Sequence, residues 1–522
     1  AGEVAVMDGA GTIWCRARDH KLWRHRGGDF EEVALTGLKG TIIHTMVTDQ
    51  QGRLWLGTDK EIALREQEAF KVMTPTNGEP LINVTFLKPT RDGGLWSLAN
   101  DRLRKSMGRE WTFEAEACRG VFTANLDRLG AVESRGGGVW FYHYGKGLYH
   151  IRPDGRVRQL TAEERFPGER VDCFFEDREG NLWCGVDRGG LVRLTEKRFT
   201  VLGANGVTAG KAAVSVTEDD EGTVWVGTFG SGLHRVRGGE SQVFTLPGGT
   251  RRGFVFSVYP GVDNRLWLSA GEEDLYWWQG DHFEQVQPLV HGVKVLLEDR
   301  QHRLWIGTKS SLSVMVDGNI RMYREEDGVR RVEFRALAED REGNIWAGAG
   351  DETLYSITAT NIVAFKPEQR TTPHPIWSLH ADEDGTVWAG TFRGGLLRFR
   401  DGKFFRYTTR DGLPDDVIGQ ILEDDQGRLW VGTQRGIFNI AKVQLDAYAD
   451  GRIKTLNCTT YGRYDGLPSE ECSGSYQPAA WRTSDGRLLF TTLKGVVAIQ
   501  PKELSPNRLP PPGGIEEVLA DG

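Results

Sequence analysis

A tryptophan recurs along the chain at the end of one repeated pattern of residues. The pattern is an acidic pair, a short turn that contains glycine, a leucine or valine, and then the tryptophan, as in the stretch from Glu176 to Trp183. Neighbouring copies are 38 to 44 residues apart, and a weaker twelfth copy carries Leu489 in the tryptophan position. The eleven tryptophans are Trp14, Trp55, Trp96, Trp140, Trp183, Trp225, Trp267, Trp305, Trp346, Trp388 and Trp430. A period of about 40 to 45 residues is typical of the blades of a β-propeller.

One repeat, from Val214 to Thr245, contains four short runs rich in β-branched and aromatic residues, separated by Gly, Asp and Ser clusters. Such runs and clusters predict four antiparallel strands, which make one blade. The 67 glycines of the chain suit the large number of tight turns. The sequence therefore predicts an all-β protein, a β-propeller of about twelve four-stranded blades. Because 522 residues exceed what one core usually holds, two rings are expected.

The repeated aspartate and glycine have a structural explanation. A carboxylate at the start of a turn accepts backbone N–H groups two or three residues further on, and the glycine supplies a positive φ. The alternating aspartates of a calcium loop are missing, so we expect turn capping and no metal site. The tryptophans are expected to pack between blades, since residues in one repeated column build the blades. The aspartates are Asp49, Asp177, Asp219, Asp299, Asp340, Asp382 and Asp424.

Composition excludes several classes of partner. The formal net charge is −8 and no basic block is present, so nucleic acid is not an expected partner. No apolar run is long enough to span a bilayer, and we expect no membrane contact by this segment itself. No cofactor motif occurs. Because the chain opens directly on the strand Glu3–Val6, we expect that upstream sequence has been removed.

The six cysteines show no metal-ligand spacing. Cys173 and Cys184 flank one hairpin turn, and a register centred on residues 178–179 would place them opposite each other. A slip of one residue would separate them. Cys458 and Cys472 bracket the one large insertion. The disulfide state of both pairs stays open, with free buried thiols expected for most of the six.

Two features of the chain resemble a known family. The repeat Glu-Asp-x-x-Gly-x-Leu/Val-Trp-Val/Ile-Gly-Thr is similar to the two-component-regulator propeller repeat, with clean copies at 218–233, 382–396 and 423–437. Residues 445–451, 464–472 and 477–483 resemble the closing blade of these sensors. The end of the chain, from Pro510 to Val518, resembles entry into the immunoglobulin-like domain that follows in the family.

The resemblance implies a periplasmic or extracellular sensor module, usually of two seven-bladed propellers, joined to a membrane helix and a histidine kinase or other output outside this segment. In gut members the signal is often an oligosaccharide. This chain has twelve repeats, and the copies around Trp96, Trp140 and Trp267 are degenerate. We expect a first propeller of about five blades in 1–205, a second of about seven in 206–505, and the start of the immunoglobulin-like domain in 506–522. Six blades in each ring and one large ring are the alternatives.

The variable loops indicate where a ligand would bind. In each repeat, the turn between the second and third strands and the link between blades lie on the face opposite the Asp/Gly turns. Eleven residues before the tryptophan, the innermost strand also changes in character from blade to blade, as at the mouth of a central channel. Aromatic faces beside arginine suit an anionic or neutral glycan, and the number of cations favours an anionic one. The predicted ligand-binding residues are Arg251, Arg252, Phe254, Lys294, Arg335, His374, Trp377, Phe392, Arg393 and Arg435.

The sequence leaves three functions open. The first is a ligand-sensing module whose partner is an oligosaccharide or another small molecule. The second is a polysaccharide lyase or glycoside hydrolase, for which Tyr142-His143-Tyr144 or Glu272-Glu273-Asp274 offer titratable groups without a catalytic motif. The third is a protein-interaction or dimerisation scaffold, and homodimerisation is left open. No catalytic residue is assigned.

Overall fold

A computed structural model gives the structure of the chain. It describes 4–73, 80–100, 102–107, 110–115, 130–134, 138–143, 147–152, 156–160, 171–177, 181–187, 190–194, 197–202, 210–244, 253–262, 265–280, 282–367, 372–474 and 476–504. The chain divides into two compact units, 1–195 and 196–506. The predicted start of an immunoglobulin-like domain in 506–522 lies outside the described residues.

The first unit contains five antiparallel sheets, numbered here as blades 1 to 5. Blade 1 comprises Val4–Met7, Ile13–Arg16, Leu22–His25 and Phe30–Val33. Blade 2 comprises Ile43–Thr48, Leu54–Thr58, Ile62–Glu66 and Ala69–Met73. Blade 3 comprises Phe86–Pro89, Leu95–Ala99, Arg102–Met107 and Glu110–Ala115. Blade 4 comprises Gly130–Glu133, Val139–His143, Gly147–Ile151 and Val157–Leu160, and blade 5 comprises Val171–Glu176, Leu182–Val186 and Gly190–Leu194.

The second unit contains seven antiparallel sheets, blades 6 to 12. Blade 6 comprises Ala213–Glu218, Val224–Thr228, Leu233–Arg237 and Glu240–Phe244, and blade 7 comprises Val255–Pro260, Leu266–Ala270, Asp274–Gln279 and His282–Gln285. Blade 8 comprises Val293–Glu298, Leu304–Thr308, Leu312–Val316 and Asn319–Met322, and blade 9 comprises Phe334–Glu339, Ile345–Ala349, Leu354–Ile357 and Ile362–Phe365. Blade 10 comprises Ile376–Ala381, Val387–Thr391, Leu396–Arg400 and Lys403–Tyr407, and blade 11 comprises Ile418–Glu423, Arg428–Thr433, Gly436–Ala441 and Thr459–Tyr461. Blade 12 comprises Ala480–Arg482, Leu488–Thr492, Gly495–Ile499 and Thr200–Val201.

The prediction of an all-β propeller with twelve blades is confirmed. Twelve sheets are present, eleven with four strands and one with three strands in its described residues. Leu489 lies in the second strand of blade 12, in the place that tryptophan takes elsewhere.

The second unit is a closed ring. The first strands of blades 6 to 12 contact one another in chain order, and the first strand of blade 12 also contacts that of blade 6. The outer strand of blade 12 comes from the beginning of the unit, where Thr200 pairs with Ala498 and Val201 with Val497. Joining both ends of the unit in one sheet locks the ring, and only the short outer edges of single blades remain.

This closing strand corrects the predicted boundary between the two propellers. The sequence prediction assigned 1–205 to the first propeller, whereas the structure places 196–202 in the second unit. The reason is the pairing of Thr200–Val201 with a strand almost 300 residues later. The sequence around these two residues does not indicate such a distant partner.

Helices are few in the described residues. The one α-helix is Lys442–Ala449, and the 3-10 helices are Glu325–Asp327, Thr409–Asp411, Arg463–Asp465 and Pro501–Glu503. In the part of the chain that the structure describes, no helix has the length and apolar character needed to cross a membrane.

The repeated tryptophans pack between blades, as predicted. Trp225 is buried against Val255, Val258 and Leu266 of the next blade, and Trp388 is buried against Ile418 and Leu429 of the next blade. Each such side chain removes a large apolar area from water.

The repeated aspartate caps its turn and also fixes the tryptophan. Asp219 accepts hydrogen bonds through Oδ1 from the backbone N–H groups of Glu221 (3.0 Å) and Thr223 (2.9 Å). Its Oδ2 accepts one from the indole Nε1 of Trp225 at 2.7 Å. Gly222 has a φ of 75°, which confirms the role assigned to the glycine. The same aspartate–indole bond joins Asp8 to Trp14, Asp49 to Trp55, Asp177 to Trp183, Asp299 to Trp305, Asp340 to Trp346, Asp382 to Trp388 and Asp424 to Trp430.

Blade 7 replaces the aspartate with a residue from its neighbour. Gly261 stands where the aspartate would be, and the indole Nε1 of Trp267 donates instead to Glu298 Oε2 of blade 8 at 2.8 Å. An acceptor for the buried indole is therefore retained although the repeat is degenerate here.

These carboxylates predict a loss of stability in acid. Burial raises the pKa of Asp299, but hydrogen bonds from Trp305 and Arg303 outweigh it, so the pKa lies below its ordinary value. The same balance lowers the pKa of Asp8 and Asp49, and that of Asp382 to about 2. A carboxyl whose pKa is lower in the folded state stabilises the fold at neutral pH and loses that contribution as the pH falls through the folded-state pKa. We expect the Tm to fall steeply between about pH 4 and pH 2. Asp299→Asn should be less stable at pH 6 and lose less on acidification; a Tm that is flat through this window would contradict the assignment.

Cys173 and Cys184 are not opposite each other. Cys173 pairs with Gly185, and Phe174 pairs with Cys184, so the register differs by one residue from the one that would bring the two thiols together. Cys15, Cys173, Cys184, Cys458 and Cys472 are all free thiols. Cys118 lies outside the described residues.

Candidate functional site

A β-bulge recurs near the start of the first strand in many blades. In blade 10 the register passes from Ile376 directly to Ser378, so Trp377 is the extra, unpaired residue. A bulge redirects a side chain and is common beside binding sites. The bulged residue always lies eleven positions before the tryptophan of its blade. The bulged residues are His44, Asp172, Val214, Phe256, Lys294, Arg335, Trp377 and Gly419.

Three of the predicted residues are therefore bulged residues of consecutive blades: Lys294, Arg335 and Trp377. The sequence showed that this column varies. The structure adds the reason, because a residue that is left out of the strand pairing is not needed for the ladder and is free to change.

The segment before blade 12 crosses the centre of the second ring. This axial segment comprises 472–474 and 476–479. The backbone N–H of Gln477 donates to Lys294 O at 3.2 Å, and its side-chain Nε2 donates to Trp377 O at 2.9 Å and to Gly419 O at 3.0 Å. Pro478 O accepts from Val216 N at 2.9 Å. The segment is thus bound to first strands of blades 6, 8, 10 and 11.

Trp377 and Phe392 form an aromatic platform with arginine on both sides. Their rings are stacked, with centroids 4.4 Å apart and an interplanar angle of 22°. The guanidinium of Arg335 lies 5.8 Å from the Trp377 ring centroid, and that of Arg393 lies 4.9 Å from the Phe392 ring centroid. His374 Nδ1 lies 3.3 Å from Phe392 O. The structure therefore brings five of the predicted residues together.

Lys294 belongs to a second, polar cluster that includes Tyr476 of the axial segment. Its Nζ donates to Glu273 Oε1 at 2.9 Å and to the Tyr476 hydroxyl at 3.1 Å, and it lies 4.3 Å from the Tyr476 ring centroid. Tyr476 in turn donates to Glu273 Oε1 at 2.6 Å, and Lys309 Nζ lies 2.5 Å from Glu273 Oε2. Burial raises the pKa of Glu273, but these hydrogen bonds lower it to about 2, so the carboxylate is ionised at neutral pH.

Aromatic rings extend this cluster to the predicted residue Phe254. Phe256 stacks on Tyr476 with centroids 4.7 Å apart. Phe254 lies 5.9 Å from Phe256 and 4.7 Å from Phe229, which is exposed. Phe254 therefore joins the face of the ring through other aromatic residues.

The remaining predicted residues are not assembled with these. Arg251 and Arg252 lie outside the described residues. Arg435 is exposed, and among the described contacts its backbone N–H donates to Thr433 Oγ1 at 3.0 Å.

The net positive charge of the predicted binding face is smaller than its number of Lys and Arg residues suggests. Lys294 is paired with Glu273, and Arg335 Nε donates to Glu333 Oε2 at 2.8 Å. Arg393, by contrast, is exposed. The prediction of an anionic ligand rested on the number of cations and left out the carboxylates that pair with them.

Sequence reasoning missed Tyr476, Gln477 and the role of Glu273. Gln477-Pro478-Ala479 was noted as a motif of the closing blade, without a position in the ring. Glu273 was considered only as a catalytic candidate in a surface loop, whereas it is buried and held by two lysines and a tyrosine. The other catalytic candidate, 142–144, lies partly outside the described residues.

Two partly open pockets of the described part of the chain are lined by other residues. One of about 300 Å³ lies beneath the axial segment, where Leu296, Leu337, Leu379 and Ile421 face Pro478. Another of about 480 Å³ lies between blades 8 and 9 near Tyr323 and Asn344. None of the predicted residues lines either pocket.

One group of side chains has the composition of a metal site. His380 Nε2 lies 3.2 Å from Asp382 Oδ1 and 3.1 Å from Glu423 Oε2. However, Lys442 Nζ lies 3.0 Å from Asp382 Oδ2 and also contacts Glu423. The ammonium group supplies the positive charge that a cation would bring, so these residues do not fit a metal.

Comparison with known proteins identifies the repeats. Residues 37–60 and 412–435 match the two component regulator propeller family, so the chain carries repeats of that family. No curated protein matches the chain.

Several solved structures are similar in architecture. The extracellular domain of the hybrid two component system BT3049 from B. thetaiotaomicron has a TM-score of 0.49 and 18% identity, over 95% of this chain and 81% of that chain. The extracellular domain of the one component system BT4673 from B. thetaiotaomicron has a TM-score of 0.46 and 16% identity, over 95% of this chain and 69% of that one. Virginiamycin B lyase from Staphylococcus aureus has a TM-score of 0.46 and 14% identity, over 58% of this chain and 99% of that one.

Proposed function

Because the chain carries two component regulator propeller repeats, we propose that it is the extracytoplasmic ligand-sensing module of a two-component signalling receptor. In this proposal the second propeller binds a small extracellular signal, an oligosaccharide above all, at the face that carries Trp377 and Phe392.

The observation that carries the proposal is the platform of Trp377 and Phe392 between Arg335 and Arg393. These residues do not belong to the repeated columns that build the blades. An aromatic face packs against the C–H groups of a sugar ring, and a guanidinium donates to its hydroxyl, carboxylate or sulfate oxygens. Exposed Arg393 is the group of the platform that a ligand reaches first.

The proposal is tested by a thermal-shift screen against defined oligosaccharides, both neutral and anionic, followed by calorimetry on each hit. A ligand at about a hundred times its Kd stabilises the native state by about 2.7 kcal/mol, which is a readily measured shift. A panel that shifts nothing would contradict the oligosaccharide part of the proposal.

We expect Trp377→Ala combined with Arg393→Ala to abolish binding of every oligosaccharide that the screen identifies. Both substitutions lie outside the inter-blade tryptophan column, so the Tm without ligand should change little. The control is Trp277→Ala with Arg265→Ala, which removes a similar pair, 5.0 Å apart, from blade 7. Normal binding by the first double variant would place the signal elsewhere. If the ligand is anionic, affinity should also fall with salt, since exposed charges are screened over about 8–10 Å.

A further inference from the structure

We propose that the axial segment forms the floor of this binding site, with Tyr476 contacting the ligand and Gly474 and Gln477 positioning Trp377. The proposal rests on the proposed function, because it adds residues to the same site. None of these three residues was among those expected from the variable loops.

Tyr476 joins the axial segment to the polar cluster of Lys294 and Glu273. Its ring stacks on Phe256 and receives the Lys294 ammonium on its face at 4.3 Å. Its hydroxyl is held by Glu273 and Lys294 at 2.6 Å and 3.1 Å. The side chain is half-buried, so part of it is accessible. A residue fixed this firmly offers a preorganised contact, which reduces the entropy that binding costs.

The chemistry of the floor indicates the kind of group that it recognises. Glu273 and Lys294 are buried and bonded to each other and to the Tyr476 hydroxyl, so the ring of Tyr476 is the part that a ligand can contact. An aromatic face packs against the C–H groups of a sugar ring. The floor therefore suits the apolar face of a sugar ring, while exposed Arg393 remains available to an acidic group.

The axial segment also controls where Trp377 sits. A Cβ atom added at Gly474 would lie 3.0 Å from Trp377 Cε3 and 2.7 Å from Gly419 Cα, so any side chain here forces the indole or the strand to move. From the other side, the Gln477 amide donates to Trp377 O at 2.9 Å. Trp377 is an unpaired bulge residue, and these contacts supply the support that the strand ladder does not.

The first experiment needs no ligand. The 17 tryptophans are replaced biosynthetically by 5-fluorotryptophan, and the ¹⁹F resonance of Trp377 is assigned by its loss in Trp377→Phe. Gly474→Ala and Gln477→Ala should each shift or broaden that resonance and leave most others in place. Gly28→Ala is the matched control, because a Cβ there meets nothing within 4 Å. An unmoved Trp377 resonance in both folded variants would overturn the positioning role.

The second experiment measures binding of the same oligosaccharide panel to Tyr476→Ala and Tyr476→Phe. We expect Tyr476→Ala to weaken binding of a hit about tenfold or more, a change of about 1.4 kcal/mol. Tyr476→Phe keeps the ring and should weaken binding less than Tyr476→Ala does. Normal binding by Tyr476→Ala, together with loss of binding by the Trp377/Arg393 variant, would overturn the floor and leave the proposed function standing. Normal binding by both variants, or a panel without hits, would contradict both as stated, and the fluorine experiment would still decide the role of Gly474 and Gln477.

Discussion

Trp388→Ala should cost about 3–5 kcal/mol of folding free energy, the usual loss for a large aromatic side chain removed from a core. Trp388 is buried in the cluster with Leu396, Tyr407 and Ile418, which spans blades 10 and 11. Its indole also donates to Asp382 Oδ2 at 2.9 Å, so the variant leaves a buried carboxylate with one donor fewer. The cavity and the lost donor act in the same direction.

Denaturant unfolding followed by circular dichroism measures this loss, with Trp377→Ala as the matched control in the same blade. Trp377 is half-buried and outside the inter-blade column, so its removal should affect stability less. Should Trp388→Ala retain the parent stability, the structural role of the whole tryptophan column would be wrong.

Phe199→Ala should destabilise the second propeller by a similar amount, about 3–5 kcal/mol. Phe199 is fully buried, lies 5.5 Å from the Tyr461 ring, and donates its backbone N–H to Asp465 O at 2.9 Å. It precedes the strand that closes the ring, so its removal weakens the junction between blades 11 and 12.

Hydrogen exchange locates this effect. Backbone amides of Leu488–Thr492 and Gly495–Ile499 should exchange faster in Phe199→Ala, because local opening then begins where the closing strand pairs with blade 12. The neighbouring Thr200→Ala removes an exposed side chain from the same strand and should change stability by less than about 1 kcal/mol. Equal behaviour of the two variants would show that the closing strand is not the element that holds the ring.

The candidate site shows the limit of alignment on the repeat. Counting back from the tryptophan located Lys294, Arg335 and Trp377, because the β-bulge keeps the same position in successive blades. Counting could not show that Glu273 and Glu333 neutralise two of these cations, since those carboxylates lie in loops outside the compared column. Tyr476 was out of reach for the same reason: it belongs to no strand and meets Lys294 across 182 residues of chain.

Within each blade, the sequence by itself determined most of the structure. Residues less than about ten positions apart determine the number of strands, the position of the turn, the glycine with positive φ and the burial of the tryptophan. Twelve copies of the repeat carry this local information. The aspartate–indole hydrogen bond is local in the same way, although only the structure shows it.

Tertiary structure alone decided how the blades close and what fills their centre. The pairing of Thr200–Val201 with blade 12 and the course of the axial segment through the ring both join residues that are distant along the chain. Backbone hydrogen bonds between distant strands depend on where the ring brings two segments together and carry no side-chain signature. These hydrogen bonds can therefore be identified only in the complete structure of the second propeller.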